Sequence, residues 1–210
     1  MDSDTVAENS ALPEPAESVR ARILRAALEC FAREGFDRTT VKTIARRCGL
    51  SDAGIFYYFP SKRHLLEALW KEAPDGHFPP PGPEGPLSAA TVRELVASTM
   101  GLSAENFLYL RLVLNETLNG DETAWALRSE SRARWRRALL RHFEPVAGAR
   151  AGDVVDLVMA TITGFLIRIE IETGERYPEA VCDPAWQQRV ADAVLRILPP
   201  DILSDPAPAR

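Results

Sequence analysis

The chain has 210 residues, of which 46% are hydrophobic and 26% charged, an ordinary globular balance with enough bulk for a sizeable core. No apolar run approaches the roughly 18 residues that a membrane-spanning helix requires, and the acidic N-terminus resembles neither a secretory signal nor a transit peptide. The three cysteines, Cys30, Cys48 and Cys182, match no disulfide or zinc pattern. We therefore expect a cytoplasmic protein with no membrane partner, no metal and no cofactor.

The net charge of −5 is distributed unevenly along the chain. Residues 1–17 carry five acids and no bases, residues 18–72 carry 11 Lys and Arg against 6 Asp and Glu, and residues 73–210 carry 14 against 19. A basic segment between acidic ones is a local electrostatic footprint, and the local field matters more for phosphate binding than the total charge. Because many solvated faces share this character, the charges alone support a nucleic-acid partner only weakly.

Four short helices are predicted after a disordered tail at 1–17. Apolar residues at steps of three and four predict an amphipathic first helix, which Gly35 ends. Thr40 and Ser51 can cap two further short helices, and Gly49 separates them. Pro60 interrupts the pattern before the last helix begins. The four predicted helices occupy residues 17–34, 41–47, 51–58 and 62–72, and together they define a domain over 18–72.

Residues 73–88 contain six prolines and three glycines, so they are predicted to form an irregular linker. Helical periodicity then resumes over a domain at 89–200, with Thr91 interpreted as the first residue of a capping box and Asp183 as the cap of the last helix. Residues 201–210 are expected to be a tail. The predicted helices cover about 89–103, 105–118, 122–143 with a stop near Pro145, 152–172 and 184–198.

No segment alternates with period two, so we predict an all-α fold. Two short helices around the turn at Gly49 form the most informative segment, and the residues of their inner face are Ile44, Ala45, Leu50, Ile55 and Phe59. A helix as short as 51–58 is not stable by its own hydrogen bonds, so its neighbours must hold it and present it outward. That geometry is typical of a helix that enters the major groove of DNA, which is roughly 12 Å wide.

The same segment resembles the DNA-binding headpiece of the tetracycline-repressor (TetR) family. Residues that match the family pattern in order and spacing are Phe31, Gly35-Phe36, Thr39-Thr40-Val41, Ile44-Ala45, Gly49-Leu50-Ser51, Gly54, Phe59 and Lys62. Ile55-Phe56 replaces the usual leucine-tyrosine pair. The specific match covers roughly residues 20–70, and the remainder agrees only in length and helical character. The resemblance implies a three-helix helix-turn-helix headpiece, a connecting fourth helix, and a C-terminal helical domain for ligand binding and dimerisation.

The resemblance also implies a set of DNA contacts. Thr40 and Lys62 lie where the family contacts phosphates, and a hydroxyl and an ammonium at helix N-termini suit that role. Asp52 departs from the family, since a carboxylate repels phosphates unless it accepts a hydrogen bond from a cytosine amino group. The candidate DNA-binding residues are Thr40, Lys42, Arg46, Ser51, Asp52, Ala53, Gly54, Tyr57, Tyr58 and Lys62.

The C-terminal domain is expected to form a homodimer. The helix at 152–172 is apolar over too broad an arc for one stripe, so it is predicted to bury two faces. In the family the last two helices pair with their two-fold mates as a four-helix bundle. Two recognition helices about 34–36 Å apart would then read a palindromic operator in double-stranded DNA. A buried monomeric core is the alternative.

Large side chains of this domain are candidates for lining an apolar cavity, and the resemblance implies that an unidentified small-molecule effector binds there and releases the DNA. An ordinary core is the alternative for each residue taken singly. Arg128 comes from an arginine-rich helix and is a candidate contact for an anionic group. The candidate ligand-binding residues are Met100, Phe107, Leu110, Val113, Leu114, Trp125, Arg128, Trp135, Met159, Ile162 and Phe165.

The function expected from these features is a sequence-specific transcriptional regulator, with repression as the family default. An enzyme is not favoured, since the sequence contains no phosphate-binding glycine loop, no Gly-x-Ser-x-Gly elbow and no His-Glu-x-x-His. The alternative is a protein-interaction adaptor whose helix-turn-helix has lost DNA binding, which the carboxylate of Asp52 makes conceivable.

Overall fold

The computed structural model describes residues 17–72 and 86–203. Over these two ranges the chain forms ten α-helices and two short 3-10 helices, with no strand, which confirms the all-α fold. None of the helices described is both long and apolar enough to cross a membrane. Residues 1–16 of the predicted tail at 1–17, 204–210 of the one at 201–210, and 73–85 of the predicted linker lie outside the described residues. Ile202, predicted to lie in a tail, is buried in the core of the C-terminal part.

The N-terminal headpiece contains α1 (Val19–Glu34), α2 (Val41–Arg47), α3 (Asp52–Tyr58) and α4 (Lys62–Lys71). Each helix follows a hydroxyl side chain that accepts a hydrogen bond from the backbone N–H three residues later, which satisfies a donor that the helix itself leaves free. The capping residues are Ser18, Thr40, Ser51 and Ser61. Gly49 has φ +68°, so the tight turn between α2 and α3 uses a conformation that favours glycine.

The C-terminal part contains six α-helices. Two 3-10 helices, Gly148–Arg150 and Gly174–Arg176, precede α8 and α9 respectively. Helix α7 packs along α8, and α5 packs against α9 and α10. The six helices are α5 (Ala89–Glu105), α6 (Phe107–Leu118), α7 (Glu122–Ala147), α8 (Ala151–Thr173), α9 (Tyr177–Cys182) and α10 (Pro184–Ile197).

The buried apolar side chains form two clusters, and the boundary between them does not follow the predicted linker. The headpiece cluster includes Leu112 and Val113 of α6 and Ala124 of α7, in addition to side chains of α1 to α4. The other cluster lies among α5 and α7 to α10 and includes Phe107 of α6, and Leu108 packs against both. Helix α6 therefore packs against both the headpiece and the C-terminal part, and a movement of α6 would act directly on α1.

Three details of the predicted C-terminal helices were wrong. Helix α7 continues through Pro145 to Ala147, because the buried Phe143 and Ala147 hold this last turn in the core. The capping box is formed by Ser88 and Thr91, so Thr91 is already inside the helix. Helix α9 was not predicted, since its six residues are stabilised by packing and not by length.

Candidate nucleic-acid interface

Helix α3 is anchored by one side chain and exposes most of the others. Ile55 is completely buried, and Phe59, just after the helix, is 4% exposed. The opposite face presents Asp52, Ala53 and Tyr57 to solvent, and Tyr57 is 84% exposed. Since a large aromatic side chain is rarely left so open on a monomer surface, this face has the character of a contact surface.

Three consecutive aromatic residues of α3 are exposed, and of these only Tyr57 and Tyr58 were predicted from the sequence. Phe56 is 48% exposed and Tyr58 41%, on either side of Tyr57. The rings of Tyr57 and Tyr58 meet edge to face, with 5.1 Å between their centroids. Helical spacing could have revealed Phe56, because it lies one turn after Asp52 on a predicted outward face.

Basic side chains flank this surface. Lys42 and Arg46 of α2 are exposed, and among the residues described neither forms an ion pair. Arg47, the next residue, instead pairs with Glu29 of α1. Free cations beside the aromatic face of α3 are the arrangement that can neutralise phosphates while the helix contacts bases.

The structure gives Lys62 partners that the sequence did not suggest. Its ammonium donates to the carbonyl oxygens of Phe36 (2.6 Å), Thr39 (3.0 Å) and Asp37 (3.2 Å). It also lies 4.3 Å from the centroid of the Phe36 ring. An ammonium has three protons, and here each has a carbonyl acceptor. That Lys62 contacts a DNA phosphate therefore remains a prediction. A phosphate would have to compete with the carbonyl oxygens of the turn at 36–39 for the ammonium of Lys62.

The turn at 36–39, which we call the headpiece turn, is also held from the C-terminal part. Glu116 of α6 is 4% exposed, and its carboxylate accepts a hydrogen bond from the backbone N–H of Phe36 at 3.4 Å. Burial raises the pKa of Glu116, and the carboxylates of Asp121 and Asp37 raise it further, while the bond from Phe36 lowers it. No sequence pattern pointed to Glu116, because its partner lies 80 residues away.

Two threonines finish the headpiece turn and begin α2. Thr39 is buried. Its hydroxyl lies within hydrogen-bond distance of two carbonyl oxygens, those of Gly35 (2.8 Å) and Cys30 (3.2 Å), and can donate to either. Thr40 is exposed, and its hydroxyl accepts from the backbone N–H of Thr43. The predicted phosphate contact at Thr40 thus coincides with a helix cap, and both roles use the N-terminus of α2.

The predicted ligand-binding residues do not share one cavity. Six lie together in the C-terminal cluster as a filled core: Met100, Phe107, Trp135, Met159, Ile162 and Phe165. Val113 packs in the headpiece cluster, and Leu110 and Leu114 are half-buried on α6. Trp125, 63% exposed, and Arg128 lie on the outward side of α7, whose buried residue in this turn is Ala124, so they line no interior space.

A short, outward-facing helix held by three others at one end of an all-helical chain defines a helix-turn-helix protein. Residues 23–69 match the family described as "Bacterial regulatory proteins, tetR family". The HTH-type transcriptional regulator UidR of Escherichia coli (strain K12) is 37% identical over 54 residues, which is 26% of this chain and 28% of UidR. The HTH-type transcriptional repressor Rv1474c of Mycobacterium tuberculosis is 30% identical over 113 residues, or 52% of this chain and 58% of that protein.

Solved structures match over nearly the whole chain. A TetR-like transcriptional regulator from Rhodococcus sp. RHA1 has a TM-score of 0.63 at 16% identity, covering 87% of this chain and 96% of its own. A transcriptional regulator from Saccharomonospora viridis, in complex with choline, has a TM-score of 0.59 at 23% identity, covering 85% and 96%. At these identities the structures show the fold alone.

Residues 23–69 match the TetR family in sequence, and the chain shares the all-helical fold of TetR-like regulators. The aligned part spans only about a quarter of UidR and a little over half of Rv1474c. The alignment with Rv1474c is longer than the headpiece, and the solved structures share the fold of the region that follows it.

Proposed function

We propose that this protein is a sequence-specific DNA-binding transcriptional regulator that acts as a homodimer on a palindromic operator. The observation that carries the proposal is the exposure of α3, where Tyr57 is 84% exposed while Ile55 of the same helix is completely buried. A helix fixed by one buried side chain and open on its far face can enter the major groove without rearrangement.

The proposed contacts divide by chemistry. Lys42, Arg46 and the capped N-termini of α2 and α4 would contact phosphates, which position the protein without reading sequence. The outward side chains of α3 would contact base edges, with Asp52 limited to a cytosine amino group. The proposed base-contacting residues are Ser51, Asp52, Ala53, Gly54, Phe56, Tyr57 and Tyr58.

The homodimer is supported by the surface of α8. Its outward stripe is apolar or small at steps of three and four residues, and Ile171 is 79% exposed. The members of this stripe, which we call the α8 stripe, are Leu157, Ala160, Gly164, Ile167 and Ile171. Such spacing with small residues in the middle lets a second helix approach closely, so a copy of the chain fits there.

A small-molecule effector and repression are part of the proposal. The structural relative from Saccharomonospora viridis is described in complex with choline, and Rv1474c is named a repressor. Binding of an effector would lower the affinity for DNA only if the effector favours a spacing of the two headpieces that misfits the operator. The cytoplasmic location follows from this proposed role at the genome.

The test is selection of bound fragments from genomic DNA, followed by fluorescence anisotropy on the selected duplex at several salt concentrations. The proposal predicts a preferred, near-palindromic site bound by two chains, with an affinity that falls steeply as salt rises. An adaptor with a degenerate helix-turn-helix would show no salt-sensitive preference for any fragment, and that result would contradict the proposal.

A further inference from the structure

A cleft of about 400 Å³ opens where the headpiece meets the C-terminal part. We call it the junction cleft. The headpiece contributes Leu28 of α1 and Leu69 of α4, and the other side is formed by Phe107 and Tyr109 of α6 and by Pro178 of α9. A volume of this size with a mostly apolar wall accommodates a small organic molecule.

Aromatic ring contacts hold the side chains that line the C-terminal side of the junction cleft. Phe107 stacks on the buried Tyr177, with 4.8 Å between the ring centroids. Tyr109 meets the indole of Trp70 edge to face at 6.2 Å, which connects α6 with α4. Among the predicted ligand-binding residues only Phe107 lines this cleft, whereas the others are packed core or lie elsewhere.

The charges around the junction cleft leave one acid without a counter-charge. Arg33 pairs with Glu175 across the cleft at 2.5 Å, and Arg111 is 3.2 Å from the same glutamate. Glu72 is paired with Arg20. Glu105, at the C-terminal end of α5, lines the cleft and has no ion-pair partner within the described part of the chain. An unpaired carboxylate beside an apolar wall favours a cationic occupant.

We propose that the junction cleft binds a small aromatic or aliphatic cation, with the apolar body against Leu28, Leu69 and Phe107 and the charge facing Glu105. Residues of both the headpiece and the C-terminal part line the cleft, so an occupant contacts both and stabilises one placement of the headpiece over others. This regulatory consequence rests on the proposed DNA-binding function, whereas binding of the cation itself does not.

Calorimetric titration of the full chain without DNA tests the site. The probe is N-methylquinolinium, and the comparison compound is naphthalene-1-carboxylate, a bicyclic aromatic of similar size and opposite charge. We expect the cation to bind and the anion to bind at least about tenfold more weakly, since a charge next to a like charge is disfavoured. Equal binding of the two compounds, or no binding of the cation, overturns the proposal.

Two variants locate the bound cation. Ala104 lines the cleft and is half-buried, so A104W fills the space and should abolish binding, whereas A126W on the exposed side of α7 should not. Glu105→Gln leaves an exposed position folded and should weaken binding about two- to fivefold, as expected for an exposed charge pair. Its control is Glu130→Gln on α7. Unchanged binding by both A104W and E105Q overturns the assignment.

Anisotropy on the selected DNA duplex, with and without saturating N-methylquinolinium, then measures the regulatory consequence. We expect the cation to change DNA affinity in the wild-type chain and to have no effect in A104W. If the chain binds no DNA, the calorimetric result still decides whether the cleft is a cation site. If the chain binds DNA and the cation does not bind, only the cleft proposal fails.

Discussion

Helices α3 and α8 both expose large side chains, but the two surfaces differ in chemistry. On α3 they are aromatic, two of the three carry a hydroxyl, and free cations of α2 lie beside them. On α8 they are aliphatic and, with Ala160 and Gly164 between Leu157 and Ile167, form a continuous stripe. An aromatic, hydrogen-bonding face with cations suits a polyanion with polar base edges, whereas an aliphatic stripe suits a copy of itself. The comparison assigns DNA to one surface and dimerisation to the other.

The largest expected effect comes from placing a charge in the α8 stripe. Ile167→Glu should weaken the dimer on the order of a hundredfold, because an unpaired charge buried in an apolar interface costs about 3 kcal/mol or more. Sedimentation velocity measures the dimer, and DNA affinity should fall with it.

The matched control is Leu118→Glu, at an exposed leucine of α6 outside the stripe. It should leave the sedimentation coefficient unchanged. If I167E and L118E behave alike, the α8 stripe is not the interface.

The next effect concerns α3 alone. Tyr57→Ala should weaken binding to the selected duplex by about 1–3 kcal/mol, roughly five- to 150-fold, as for the loss of one base-contacting side chain. The melting temperature should stay within about a degree, because Tyr57 is 84% exposed and an exposed side chain contributes little to folding. If Y57A binds the selected duplex with wild-type affinity, Tyr57 does not contact the DNA and the contact surface lies elsewhere.

A smaller effect, on the salt dependence of DNA binding, distinguishes Lys42 from Lys62. Lys42 is exposed and unpaired among the described residues, so Lys42→Ala should make the salt dependence of DNA binding shallower by about 0.9 unit per chain, or about 1.8 units for the dimer. Lys62 donates to three carbonyls of the headpiece turn, so Lys62→Ala should lower the melting temperature and leave the salt slope unchanged. A slope shallower by about 1.8 units in the K62A dimer would instead place that ammonium on a phosphate.

The smallest effect is a pH dependence of stability at Glu116. The pKa of Glu116 is raised in the folded protein, so the folded state binds a proton more tightly than the unfolded chain does. The stability that this proton provides is lost as the pH rises through the folded pKa, because the buried carboxylate is then charged. Glu116→Gln keeps an acceptor for Phe36 and removes the charge. The variant should melt above the wild type at pH 7.5, and the difference should shrink toward pH 4. A difference that is constant with pH would contradict this account.

The headpiece was predictable because its signals are local. A capping hydroxyl such as Ser51 acts on a backbone group three residues away, and the turn at Gly49 needs only its own φ. The partners of Lys62 and Glu116 were not predictable, since they depend on how α4 and α6 meet the headpiece turn.

Contacts between distant helices were equally unpredictable in the C-terminal part. The breadth of the apolar arc on α8 was recognised from the sequence, and the structure resolves it into one buried face and the exposed α8 stripe. The predicted cavity was wrong in position for Trp125, because an apolar side chain near a helix start carries no sign of which neighbour covers it. The junction cleft forms between helices that are far apart in the chain, so the hydrophobic periodicity of the sequence could not predict it.

Tyrosine nitration, followed by mass spectrometry, tests the role of α3 most directly, because the chain has four tyrosines in two contrasting pairs. Tyr57 and Tyr58 are exposed on α3, whereas Tyr177 is buried and Tyr109 is half-buried; burial raises the pKa of both to about 12, so both should react more slowly. We predict rapid nitration of Tyr57 in the free protein and strong protection by the selected duplex, but not by a scrambled one. Undiminished nitration of Tyr57 on saturating specific DNA would contradict the claim that α3 enters the groove.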